Sequence, residues 1–64
     1  MNIHAHLHEV NKVEAQLLVL LGEALKADML LLAQHYSHAI ANMKPLQLSL
    51  CRVVGNVDDI AKNI

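Results

Sequence analysis

Residues 13–43, VEAQLLVLLGEALKADMLLLAQHYSHAIANM, decide the fold, because their apolar positions cover more of a helix than one neighbour needs. On a wheel with 100° per residue, the apolar side chains from Leu7 to Met43 fill about 200° of arc. A helix that packs against one partner typically shows an apolar stripe of about 100°. We therefore expect this segment to contact at least two neighbours, and we expect the chain to obtain them by self-association.

The chain is short for a hydrophobic core of its own. A chain of 64 residues buries about 60% of its unfolded surface, and chains this small compensate with disulfides, metals or oligomerisation. Cys51 is the one cysteine, so an internal disulfide is excluded. Tyr36 is the only residue among Phe, Trp and Tyr, which suits close packing of aliphatic helices better than a sandwich or barrel. We predict a single all-α domain over residues 1–64.

The helical pattern predicts two segments, separated at Lys44 and Pro45. Residues from about His4 to Met43 are predicted to form one long helix. Pro45 disfavours helix at Lys44 and suits the first position of a second, shorter helix. After Pro45 the apolar residues follow a heptad seam with spacings of four and three, namely Leu46, Leu50, Val53, Val57, Ile60 and Ile64. The predicted fold is a helical hairpin that forms a homo-oligomer, with a two-fold dimer as the default.

Two alternatives stay open within this fold. The long helix could be kinked or broken near Gly22, with Asp28 as the cap of a helix that begins at Met29. Such a break would remove the Asp28 carboxylate from the apolar arc, where an unpaired charge is costly. The run Leu46–Val54 alternates partly between apolar and polar residues, so it also has an interpretation as a strand.

The apolar arc and the tail seam predict which residues bind a second copy. A long first arm would leave its N-terminal half uncovered by the short second arm, so that half needs a partner. Three further aliphatic residues lie on otherwise polar faces and are candidates for contact with a larger protein, namely Val19, Leu30 and Leu48. The predicted oligomer interface consists of Val10, Val13, Leu17, Leu20, Leu21, Leu31, His35, His38, Leu50, Val53, Val57 and Ile60.

The five histidines form two groups that could act as metal ligands or as a pH sensor. On a helix, His4 and His8 share a face, and so do His35 and His38. An antiparallel dimer would bring the two pairs together. The structural interpretation is stronger, because no cysteine accompanies them with zinc-finger spacing, and we expect neither a metal nor a cofactor. His35 and His38 lie in the apolar arc, where burial would shift their titration across neutral pH.

Other functional classes lack their signatures in this sequence. We expect no enzyme, because no phosphate loop, nucleophile elbow or paired acid and base is present. The net charge is −1 and the Lys and Arg residues are dispersed, which makes nucleic-acid binding a weaker hypothesis. No run is apolar and long enough to span a membrane. The unpaired thiol and the absence of a secretory signal pattern lead us to expect a cytoplasmic protein.

These observations predict a small adaptor, inhibitor or regulator that acts by protein–protein interaction. Its size is typical of the accessory proteins of phages and other mobile elements. Two alternatives remain: a small helix-turn-helix-like regulator that binds nucleic acid, and a metal- or pH-responsive module built on the histidines.

Overall fold

The computed structural model describes residues 1–63, which form two antiparallel helices packed along each other. Helix α1 is Ile3–Lys26 and helix α2 is Leu30–Lys62. Together they make a rod of 54 × 16 × 15 Å. The predicted all-α hairpin is confirmed. Residues 46–54 are helical and residues 1–63 contain no strand, so the strand interpretation is wrong.

The chain reverses at residues 27–29, so the continuous helix predicted from His4 to Met43 is wrong. Asp28 has a φ of 55°, in the left-handed region. The Met29 N–H donates to the Ala24 carbonyl at 2.9 Å, and the Asp28 N–H donates to the Leu25 carbonyl at 3.2 Å. These two bonds form a Schellman motif, in which Asp28 takes the place that glycine usually has. Aspartate tolerates this conformation because its short polar side chain can hydrogen-bond locally.

The break therefore lies at the end of α1, and neither Gly22 nor an Asp28 cap produces it. Gly22 is inside α1, which continues past it. The residue that caps α2 is Met29, whose side chain makes no capping hydrogen bond. At the start of α1, by contrast, the Asn2 side chain accepts a hydrogen bond from the Ala5 N–H at 3.2 Å.

Pro45 lies inside α2, so the helix boundary predicted at Lys44 and Pro45 is also wrong. Proline cannot donate to the carbonyl of Ala41, a defect that costs about 3 kcal/mol in a helix interior. Ala41 is exposed, and its carbonyl can bind water instead. Met43 and Gln47, on either side of the proline, are half-buried against α1. This packing holds the backbone helical across the proline.

The two helices meet along a seam with the heptad spacing of a coiled coil. Its members are buried or half-buried and recur at intervals of three and four: Ile3, Leu7, Val10, Glu14, Leu17, Leu21 and Ala24 in α1, and Ala33, Tyr36, Ile40, Met43, Gln47, Leu50 and Val54 in α2. Among the described residues, only Ala24, Ala33 and Leu50 are buried. The rod is therefore a thin structure with most of its aliphatic side chains still partly in water.

The position of the turn changes which residues need a partner. The arms are 24 and 33 residues long, so α2 covers the whole of α1. Leu7 and Leu17, which a longer first arm would leave in water, are half-buried against α2. The tail seam predicted from Leu46 faces α1 only in part, because Val53 and Ile60 are exposed. Ile64, its last member, lies outside the described residues.

The left-handed backbone at Asp28 can be tested by a pair of substitutions. We expect Asp28→Gly to be more stable to unfolding than Asp28→Ala by about 1 kcal/mol, because only glycine adopts this conformation without a steric cost. Urea unfolding at one fixed protein concentration measures the difference, since association would add a concentration-dependent term. Equal stability of the two variants would contradict the turn described here.

Candidate protein-interaction surface

The seam between the helices has two flanks, and one of them carries polar contacts towards the open end and the half-exposed Leu18 and Leu25 nearer the turn. We call this side the polar flank. His4 Nε2 lies 2.9 Å from Asp58 Oδ1 near the open end of the hairpin. Two more polar contacts join the helices on this side or within the seam. The pairs are Lys44 with Glu14, through the ammonium and the carboxylate, and Gln47 with Asn11, through their amides at 3.1 Å.

Glu14 is the carboxylate most enclosed by these contacts, with 19% of its side chain exposed. Hydrogen bonds from Lys44 and then from Gln47 hold the pKa of the Glu14 carboxyl below its ordinary value, because both favour the charged form. Glu14 and Gln47 occupy seam positions that an aliphatic residue would fill in a simple coiled coil. Polar residues at such positions favour one register over its neighbours, because a shifted register would leave them unpaired.

The opposite flank is apolar from Val13 to the turn in α1 and throughout α2, with His6 seven residues before Val13, and we call its aliphatic members the apolar strip. Its side chains recur every seven residues, which places them on one face of each helix. Leu20, Ala27 and Leu32 line one shallow cavity together with Tyr36, which locates both helices' strips on the same side. The members of the strip are Val13, Leu20 and Ala27 from α1 and the turn, and Leu32, Ala39, Leu46, Val53 and Ile60 from α2.

The strip is half in water. The exposed fraction of its large side chains runs from 37% at Leu32 to 62% at Ile60. Flanking positions of a two-helix coil become core positions only when further helices pack beside them. The strip therefore has the geometry of half of a four-helix core.

A second apolar group surrounds the turn, and we call Met29, Leu30 and Leu31 the turn cluster. Leu30 and Leu31 are 68% and 69% exposed. With Leu32 and His35 they line an open groove at the end of the rod. Leu30, one of the residues predicted to contact a larger protein, thus lies at the tip of the hairpin.

The structure distributes the predicted oligomer-interface residues over three places. Those held between α1 and α2 are Val10, Leu17, Leu21 and Leu50; those in the apolar strip are Val13, Leu20, Val53 and Ile60; and those exposed elsewhere are Leu31, His35, His38 and Val57. Contact with a second copy stays a prediction for all of them. Val19 and Leu48, like Leu30, are more than half exposed and remain candidates for partner contact.

Sequence reasoning missed four members of the strip, Ala27, Leu32, Ala39 and Leu46, as interface residues. The signal was present as a seven-residue interval through α2. It could be assigned to one side of the hairpin only after the turn had fixed the pairing of the helices.

The histidine pairs lie far apart along the rod. His4 and His8 are near the open end, whereas His35 and His38 are in the first turns of α2. Within residues 1–63 no group of three or more His, Cys, Asp or Glu side chains is placed to hold a metal ion. One hairpin cannot join the two pairs, so the metal hypothesis requires a second copy.

Comparison with known proteins gives no further guide to the surface. No protein-family model, no curated protein and no solved structure matches this chain. Neither helix, over the residues that the structure describes, is long and apolar enough to cross a membrane.

The Glu14 contacts predict a specific pH dependence of stability. The folded-state pKa of Glu14 is lowered, so its contribution is fully present above the ordinary carboxyl pKa and is lost as the pH falls through the folded value. We expect acid to destabilise the chain, and we expect Glu14→Gln to reduce that loss. Urea unfolding between about pH 7 and about pH 3 measures both.

Glu9→Gln provides the matched control for this experiment. Glu9 forms only an exposed contact with Lys12, at 3.6 Å, on its own helix. The control variant should keep the acid-induced loss of stability. Identical pH profiles for Glu14→Gln and the unsubstituted chain would contradict the role given to Glu14.

Proposed function

We propose that this chain is a non-enzymatic protein–protein interaction module, an adaptor or inhibitor, that works as a homodimer of helical hairpins. The observation that carries the proposal is the size of its exposed surface, 4946 Å². A monomeric globular protein of 7.1 kDa exposes about 4,100 Å² by the usual scaling of surface with mass. One hairpin therefore shows more surface than a stable monomer of its mass would show.

The excess has the size of a protein interface. The difference between the two areas is about 850 Å² per chain. A standard interface buries about 800 Å² on each partner. The radius of gyration supports the same proposal, since it is 15.5 Å against about 11 Å expected for a compact domain of this length.

A second copy is the partner best supported for this surface. No side chain among the described residues is fully buried, so one hairpin lacks the core on which small domains depend. The apolar strip is self-complementary in character, because it is aliphatic and uncharged in both helices. A two-fold dimer would join two strips into the core of a four-helix bundle.

The role of the dimer follows from what it leaves on the surface. The turn cluster lies at the end of the rod, outside the strip, and Val19 and Leu48 lie on the outer faces of their helices. These aliphatic side chains would stay available to a larger protein. The surface that the proposed dimer leaves exposed is therefore suited to binding another protein.

The alternative functions have no observation in their favour. The two described helices run antiparallel, whereas a helix-turn-helix unit crosses at about 90–120°. The basic residues form no cluster in the sequence, since they occur singly at Lys12, Lys26, Lys44, Arg52 and Lys62.

A matched pair of leucine substitutions tests the proposal. Leu46 lies in the apolar strip and Leu48, two residues later, lies outside it at 64% exposure. We expect Leu46→Glu to weaken dimerisation by at least about tenfold, because the dimer would bury an unpaired carboxylate. Leu48→Glu should leave it unchanged. Sedimentation velocity over a micromolar concentration series measures both.

The unsubstituted chain decides the proposal even if Leu46→Glu fails to fold. A helical monomer at all concentrations in that series would overturn the proposed dimer. Equal weakening by the two substitutions would overturn the assignment of the strip as the interface.

A further inference from the structure

On each helix, the residues four positions before the strip residues form a polar rim. This rim borders the strip on the side away from the seam. On α1 the rim is acidic or neutral, with Glu9, Gln16 and Glu23, all exposed. Glu23 lines the strip cavity beside Leu20, which confirms that this rim adjoins the strip. On α2 the rim contains no Asp, Glu, Lys or Arg. Its members are His35, Asn42, Ser49 and Asn56.

Two-fold symmetry allows two ways to place one strip upon another. If the axis runs along the rod, both turns lie at the same end and α1 of each copy packs over α2 of its partner. If the axis runs across the rod, the turns lie at opposite ends and α1 packs over α1 of its partner. All neighbouring helices are antiparallel in both cases, so helix dipoles do not choose between them.

The opposite-end arrangement is opposed by charge. It lays the two α1 rims against each other, so that Glu9 and Glu23 of both copies share one edge of the interface. Four carboxylates would then gather along that edge, with one lysine three residues after each glutamate on its own helix, Lys12 after Glu9 and Lys26 after Glu23, on the side of the rim away from the strip. Like charges brought together across an interface select against that arrangement.

The same-end arrangement pairs each rim residue with a polar group that can bind it. The contact of Lys44 with Glu14 fixes which residues of α1 and α2 share a level along the rod. An axis along the rod preserves these levels between copies. We find the residues that share a level by counting in steps of seven from the contact of Glu14 with Lys44. Glu23 then faces the partner's imidazole at position 35, Gln16 faces the partner's amide at position 42, and Glu9 faces the partner's hydroxyl at position 49.

We infer that two hairpins pack strip to strip with both turns at the same end, forming a four-helix bundle with the two turn clusters side by side. The inference rests on the homodimer proposed above and adds its orientation. It also states that the exposed leucines of two turns form one apolar surface at one end of the bundle.

Spin labels on α2 distinguish the two arrangements. Each label is placed on a single cysteine, at Asp59→Cys or at Leu48→Cys, in a Cys51→Ser background; both positions are exposed. Asp59 lies about 15 residues beyond the middle of the rod, so turns at opposite ends would separate its two labels by about 45 Å. Turns at the same end keep them within about 30 Å, the width of a labelled bundle.

The Leu48 label is the control, since it lies near the middle of the rod and gives a distance within about 30 Å in either arrangement. We expect distances within about 30 Å from both labels by double electron–electron resonance. A short distance at Leu48 with about 45 Å at Asp59 would overturn the orientation and leave the dimer standing. No dipolar coupling at either position would overturn the dimer itself.

Discussion

Two backbone hydrogen bonds at the end of α1 determine which residues of this chain meet. The Schellman motif at Asp28 reverses the chain over three residues, so α2 must return along α1 from the turn outward. The position of the reversal therefore determines which residue of α2 lies beside each residue of α1. Glu14 meets Lys44 and His4 meets Asp58 because the turn begins at Ala27 and not elsewhere.

The two flanks of the hairpin are unequal, and this bears on the number of copies in the proposed assembly. An elongated rod with aliphatic residues on both flanks could add copies on each side without closing. Here the contacts of His4 with Asp58 and of Lys44 with Glu14 lie on one flank towards the open end, whereas Leu18 and Leu25, each 51% exposed, lie on the same flank nearer the turn. The strip is the longer of the two apolar surfaces, and a two-fold dimer that used it once in each copy would be a closed assembly.

The fold class was predictable from the sequence because helix-forming aliphatic residues at spacings of three and four admit little else. The turn was not, since residues 23–27 are good helix formers and the left-handed position holds aspartate in place of glycine. The helix boundary predicted at Pro45 is wrong because a local signal was too strong, whereas at the turn the local signal was too weak. A strong local rule placed a boundary there, and the packing of Met43 and Gln47 against α1 overrode it.

The candidate surface could be predicted only in part. Exposure of individual leucines follows from the register, which the sequence did not determine once the turn was misplaced. The sequence pattern did not single out Glu14 or Gln47 as seam residues, although the structure places them together in the seam. Several predicted interface residues, among them Val10 and Leu17, are partly covered by the chain's own second helix.

The proline within α2 gives this helix an internal point of weakness. The bond missing between Pro45 and Ala41 divides the backbone ladder into a stretch next to the turn and a stretch that extends to the open end. The stretch next to the turn is joined to α1 through the backbone at residues 27–29. The stretch beyond Pro45 contacts α1 only through side chains. Amide protons beyond residue 45 should therefore exchange with solvent sooner than those near the turn. Local unfolding of the hairpin should begin at its open end.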